Sequence, residues 1–312
     1  MNKQISLKDV LFLCHAKPKD KQQEQDWKDL INNNLEPADT WEVELSANGN
    51  NKESWERLLS ENKLGALALL RNLRNMSEKA VSKELIKNAL EQANYSRVLP
   101  FRFVAAAKAA PMYEEHIDAA MMKCLSQAQK IPGKTVIIID VSGSMYGSKV
   151  SAKSDMNRAQ AACALGAIGR EICSNVAVYA TAGNDSREIH KTELVPNRHG
   201  MALVDAIYKM CHPLGGGGIF LNQVCKYITE KEITADRTIV ITDEQDCSGS
   251  EDSPKKAKPL GRGYIINVSS YQNGIGYENG WTHITGWSES IFEYIREIEK
   301  TKEERSNASK KE

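Results

Sequence analysis

The chain has 312 residues, and its 41 Lys plus Arg are matched by 41 Asp plus Glu. That length fits roughly two domains, and a balanced charge excludes a bulk electrostatic pull toward nucleic acid or membrane, so any basic surface has to be local. No apolar run approaches the ~18 residues of a membrane span, and the start, MNKQISLKDV, lacks the basic-then-apolar form of a signal peptide; a cytoplasmic protein with no membrane partner is expected.

From Ile5 to about Gln129 the apolar residues recur at three and four positions, the period of helices. Leu7, Val10, Leu11 and Leu13 begin one helix, and Trp55, Leu58 and Leu59 belong to another. Leu64 to Leu73 is a third, apolar nearly all round and therefore expected to be buried between neighbours. Val81 to Ala93 and Arg102 to Ala109 continue the series, with Pro100 and Pro111 punctuating it. Helices of this length joined by short turns predict a HEAT-like α-solenoid over residues 1–130. The seven cysteines, at 14, 124, 163, 173, 211, 225 and 247, form no C-x-x-C pair and read as reduced core residues.

Ile131-Pro132-Gly133 marks a boundary, after which strands and helices alternate. Strands are expected at Thr135–Asp140, Asn175–Ala180, Arg237–Asp243 and Gly263–Val268. Helices are expected at Met156–Cys173, Met201–Cys211, Asn222–Glu230 and Glu289–Lys300. Residues 131–300 therefore read as a doubly wound, Rossmann-like α/β domain, and 301–312 as a charged, frayed tail.

Within that half, Val136 to Ile139 is a continuous apolar strand running into Asp140-Val141-Ser142-Gly143-Ser144. It delivers a carboxylate and two hydroxyls at the carboxyl end of a buried strand, where ligands of parallel sheets gather. Oxygen-only donors on a tight turn suit Mg²⁺ or another divalent cation. The Asp-x-Ser-x-Ser spacing resembles the metal-ion-dependent adhesion site of von Willebrand factor A domains. Thr238 to Thr242 is a second apolar strand ending in a carboxylate, Asp243. The resemblance implies metal ligation by Asp140, Ser142, Ser144 and Asp243. It also calls for a threonine where this chain has Gly215 to Gly218; aligned on the following helix, Gly218 takes that place. Weakened cation binding is expected. The alternative is a plain strand-to-helix turn, its hydroxyls capping the helix and its carboxylates accepting backbone N–H groups. Asp155 and Asp205 fall on expected helices as solvated or capping carboxylates.

The helical half carries a longer resemblance. Ser6 to Pro18 (SLKDVLFLCHAKP), Thr40-Trp41-Glu42, Trp55 to Leu59, Ala68 to Leu73 and Arg97 to Phe103 are similar to the TROVE module of Ro autoantigen proteins, which join helical repeats to a von Willebrand A domain. That resemblance implies binding of small structured noncoding RNA of the Y type, and of RNA ends, in RNA quality control or repair. His15 and Lys17 match the His-x-Lys-Pro segment of the RNA-binding surface; Lys19, Lys21 and Arg102 are added from charge and placement. The family's module begins with further helices before this segment. A second protein chain supplying those N-terminal helices is therefore expected, covering an exposed apolar flank at Leu7, Val10 and Leu11, with a nuclease or RNA ligase as a further partner.

No hydrolase pattern stands out: Ser142 lacks the G-x-S-x-G elbow and the six histidines show no paired-ligand spacing. A non-enzymatic RNA-binding subunit is the leading expectation. The alternative is a metal-dependent adaptor that uses its von Willebrand A domain to bind protein without touching RNA.

Overall fold

The structure, a computed structural model, describes residues 5–34, 39–151, 154, 156–249, 252–269, 278, 280–286, 288 and 290–309. Asp155 lies outside these residues. Contacts divide the chain into two units, Met1–Leu64 and Gly65–Glu312.

The first unit holds α1 (Leu7–Cys14), α2 (Lys21–Asn32), α3 (Trp41–Asn48) and α4 (Lys52–Ser60). The start of α1 is a capping box, in which Ser6 Oγ accepts from the Asp9 N–H while the Asp9 carboxylate accepts from the Ser6 N–H. Asp20 caps α2, a helix whose apolar periodicity is nearly erased by the run KQQEQD. The ordered centre of this unit is Trp55, fully buried beside Leu58 and Leu59. Its ring stacks on Trp41 with centroids 6.2 Å apart, and its Nε1–H donates to Asn50 Oδ1 at 2.8 Å. Neither α1 nor α2 buries a residue.

The second unit begins with α5 (Ala66–Glu78), α6 (Lys83–Gln92), α7 (Phe101–Ala109) and α8 (Glu114–Ser126). The helix at α5 is one-faced, correcting the expectation of burial all round: Leu69, Leu70, Leu73 and Met76 point inward while Leu67 is exposed. The small residues Gly65, Ala66 and Ala68 make the run look apolar on every side, but Arg71 and Arg74 hold the wet face. The helices then give way to β1 (Ile131–Asp140), α9 (Gly143–Gly147), α10 (Arg158–Ile172), β2 (Cys173–Asn184) and β3 (Ile189–Leu194). After them come α11 (Gly200–Tyr208), α12 (Leu221–Lys231), β4 (Arg237–Thr242), β5 (Arg262–Asn267), β6 (Trp281–Thr285) and α13 (Ser290–Ser309).

The strands form one sheet in the order β3-β2-β1-β4-β5-β6, parallel except for β3, which pairs antiparallel to β2. The β3 and β6 edges carry few apolar residues and were not legible as strands. Alternation along β1 sends Val136 and Ile138 into the core with α12. Ile137 and Ile139 face the opposite side, against α10.

That opposite side is built on α10, buried along twelve of its residues. Alanines and glycines bring its backbone close to the sheet: a Cβ at Gly166 would stand 2.1 Å from Ile139 Cδ1, and one at Gly169 would stand 2.6 Å from Ile137 Cδ1. The helical segment packs on the outside of the same helix through α7 and α8. Asp118 of α8 also accepts from the Met201 N–H at 2.9 Å, holding the start of α11. At the far end of the sheet, Arg237 and Glu299 form a buried ion pair (2.7 Å) joining β4 to α13. The helix runs on to Ser309, so residues 301–309 of the segment expected to fray continue as helix, and 310–312 lie outside the described residues; Lys and Glu are strong helix formers.

Gly166→Ala overpacks this contact and is expected to lower stability by about 1–3 kcal/mol in chemical denaturation. Adding Ile139→Val should recover part of the loss.

Candidate metal centre and nucleic-acid-binding residues

Parallel pairing sets Ile139 of β1 beside Ile241 of β4, so both strands end their apolar runs at the same edge of the core and release Asp140 and Asp243 there. Asp140 is fully buried and Asp243 is 2% exposed. Between them lies the turn after β1. The Ser142 Oγ stands 3.2 Å from Ser144 Oγ, and Ser144 Oγ donates to Asp243 Oδ1 at 3.4 Å. All four expected ligands are therefore gathered at one place.

The plain-turn reading is met at the carboxylate and not at the hydroxyl. The carboxylate of Asp140 does accept a backbone N–H, from Ser142 at 2.8 Å. Ser142 occupies the N-cap position of α9, yet its side chain makes no capping bond; its hydroxyl faces the carboxylate cluster instead. Two residues escaped the sequence analysis. Thr242 Oγ1 donates to Asp140 Oδ2 at 2.6 Å, and Arg158, at the start of α10, donates to Asp243 Oδ2 at 2.8 Å from a side chain only 5% exposed. Thr242 could have been suspected from its place beside Asp243. Arg158 could not, because its pairing depends on how α10 crosses the sheet.

Burial, and next the neighbouring Asp243 charge, push the Asp140 carboxyl up to about 7. Arg158 compensates Asp243, while the bonds seen at Asp140 among the described residues come from the Ser142 N–H and the Thr242 hydroxyl. Such a set, two carboxylates and two serine hydroxyls, is what a hard divalent cation takes. Among the described residues no group of three or more His, Cys, Asp or Glu side chains is arranged to hold a metal. A cation here would thus be held by Asp140, Asp243, Ser142 and Ser144, completed by waters.

The glycine loop brings no hydroxyl to this site. Gly215 and Gly216 have φ of +100° and +71°, values glycine adopts freely. The Gly217 N–H donates to Gly183 O (3.0 Å) and its carbonyl accepts from Gly143 (3.1 Å), while the Gly218 N–H donates to Asp185 Oδ1 at 2.6 Å. A Cβ at Gly218 would lie 2.2 Å from Cys247 Sγ, and one at Gly217 2.6 Å from Asp185 Oδ1. The loop is stitched down, a Cβ at Gly217 would also crowd the Gly183 carbonyl at 2.7 Å, and with these N–H groups engaged it does not form a phosphate cradle.

Nearby, Glu244 Oε1 meets His283 Nδ1 at 2.8 Å and Glu244 Oε2 accepts from Asn267 Nδ2 at 2.6 Å. Asp246 accepts from the Leu221 N–H at the start of α12 (2.9 Å), and Asp205 is exposed on α11. Four cysteines are buried as expected, but Cys14 and Cys247 are exposed.

The expected RNA contacts are all on the surface. His15, the C-cap of α1 with φ 46°, and Lys17, Lys19 and Lys21 are exposed in the first unit. Arg102 is exposed on α7 in the second. Ile5, Leu7, Val10, Phe12 and Leu13 are exposed as well, at 42% or more. No helix among the described residues is long and apolar enough to cross a membrane.

Residues 33–212 match the TROVE domain family. Over 110 residues, 33% of this chain, the sequence is 33% identical to telomerase protein component 1 of Rattus norvegicus and 34% identical to that of Mus musculus. The matched part spans 4% of the length of either relative. Among solved structures, the crystal structure of the Deinococcus radiodurans RO (RSR) protein superposes with a TM-score of 0.61, covering 90% of this chain and 68% of that one at 14% identity. At that identity the likeness establishes the fold: a helical region followed by a von Willebrand A-like α/β domain.

A carboxyl that is easier to protonate when folded binds more protons in the native than in the unfolded state between 3.8 and about 7. Stability from Asp140 is therefore present at low pH and lost as pH rises through that window. In a chelator, Asp140→Asn is expected to flatten this part of the stability-versus-pH curve, measured by thermal melts.

Proposed function

This chain belongs to the TROVE-domain family, and from that premise we propose that it is an RNA-binding subunit of a Ro-like ribonucleoprotein. Its RNA is a small structured noncoding RNA of the Y type together with RNA ends, and its work is RNA quality control or repair in the cytoplasm, with no chemistry of its own. The observation that carries this reading is the coincidence of two independent likenesses: the TROVE match over residues 33–212 and a Ro-like fold over 90% of the chain.

Affinity in this reading comes mainly from phosphate contacts. His15, Lys17, Lys19 and Lys21, set around the α1–α2 connection, supply one cluster, and Arg102 supplies a contact from the second unit. Such contacts position an RNA without reading its sequence and weaken with salt. The cation at Asp140, Ser142, Ser144 and Asp243 is Mg²⁺ or a similar ion, with structural or partner-binding duty. No step of catalysis is assigned to it.

A second chain is part of the proposal. Leu7, Val10 and Leu13, exposed at helical spacing along an eight-residue helix, form a face of the kind that the end of a helical stack needs covered. Helical repeats from another polypeptide suit that face, and a nuclease or RNA ligase would act on the RNA so presented.

Recovery of the protein from its native cells, with and without ribonuclease, tests the reading. A small structured RNA should be enriched, and a helical partner should stay bound after nuclease treatment. Protein partners with no enriched RNA would contradict it and favour the metal-dependent adaptor. With purified protein, replacing Lys17, Lys19 and Lys21 by alanine should weaken binding of a structured RNA and reduce the slope of log affinity against log salt by about one per lost phosphate contact.

A further inference from the structure

We propose that a cleft at the amino ends of the parallel strands, at the opposite edge of the sheet from Asp140, binds a phosphate-bearing ligand. The inference stands independently of the RNA reading. The cleft has a volume of about 560 Å³ and is walled by the approach to β1, the starts of β4 and β5, and α13. A neighbouring cavity of about 420 Å³ shares Gln129 and Arg296 with it. Both fall in the size range of small-molecule sites.

Charge identifies the ligand class. Glu299 answers two guanidinium groups at once, Arg237 at 2.7 Å and Arg262 at 3.2 Å. Arg237 is deeply buried and also donates to Thr135 Oγ1 at 2.8 Å, so this pair forms a fixed floor. Arg262 remains 38% exposed and Arg296 23% exposed toward the cleft. Lys130 and Lys300 add two more cations to the walls, and among the described lining residues the other carboxylates are Asp236 and Glu297.

Five basic groups thus face three carboxylates, a local excess of two positive charges in a chain whose total is zero. The heads differ in how they are held. Lys130 Nζ donates to the Glu171 carbonyl, which carries no formal charge; Arg296 pairs with Glu297 at 3.5 Å and also donates to the Gln129 carbonyl at 3.4 Å. A phosphate monoester, or two consecutive backbone phosphates, supplies the matching two negative charges, and guanidinium forks fit phosphate oxygens in pairs.

Two sources share this chemistry, a free nucleotide and the phosphates of an RNA strand. Calorimetric titration of the full chain with uridine monophosphate and with a short 5′-phosphorylated oligouridylate separates them, run beside Arg296→Glu and Lys300→Glu. Saturable binding of at least one probe is expected, weakened about tenfold or more by each reversal, as loss of a charge-assisted contact implies, at an unchanged melting temperature. Binding of the mononucleotide supports the proposal with a free nucleotide as source, and binding of the oligouridylate alone supports it with RNA as source. No saturable binding of either probe, or equal affinity in the wild type and both variants, overturns the proposal. Lys300 is exposed and makes no contact on which folding depends in the described structure, so its variant keeps the test decisive if Arg296→Glu is poorly folded.

Discussion

Two carboxylates buried side by side are the constraint on which much of this structure depends. Parallel pairing of β1 with β4 brings Asp140 and Asp243 to one edge of the sheet, where both are buried. Leaving a buried charge without compensation is costly. Around them the chain has placed the hydroxyls of Ser142, Ser144 and Thr242, the Ser142 N–H and the Arg158 guanidinium. The proton held by Asp140 up to about 7 marks the part of the charge that these partners leave unanswered. A divalent cation is the partner that would complete the set.

The same arrangement ties the site to the rest of its unit. Arg158 is the first residue of α10, and α10 lies between the sheet and helices α7 and α8. Its glycines let Ile137 and Ile139 approach the helix backbone, which fixes where its first turn meets Asp243. From the outer side, Lys108 of α7 donates to Gln160 of α10 at 2.7 Å, and Asp118 of α8 holds the start of α11. The helical segment and the carboxylate edge are thus joined through α10 by packed side chains.

Much of this was legible in the sequence because the core of a parallel sheet is written in contiguous β-branched residues. The runs Val136 to Ile139 and Ile239 to Ile241 announced both strands and both terminal carboxylates. Edge strands β3 and β6, half polar and covered on one face at most, carry no such mark. The polar surface of α2 hid it in the same way. Arg158 was invisible as a site residue for another reason: its role comes from tertiary register, which composition does not encode, whereas Thr242 stood in plain view beside Asp243. The absence of a threonine was legible at once, but its cause was not. At Gly217 a Cβ would crowd the Gly183 carbonyl at 2.7 Å, and at Gly218 it would displace the exposed Cys247 side chain.

The proposed account places an RNA-binding helical surface and an oxygen-lined cation site on one TROVE-family chain, and the cation is the claim closest to the atoms. Direct titration of the metal-free protein with Mn²⁺, followed by electron paramagnetic resonance and competed with Mg²⁺, measures it. The account predicts one bound ion per chain, displaced by Mg²⁺ and lost in both Asp140→Asn and Asp243→Asn. An unchanged free-Mn²⁺ signal with the wild-type protein, or binding that survives both substitutions, would contradict it.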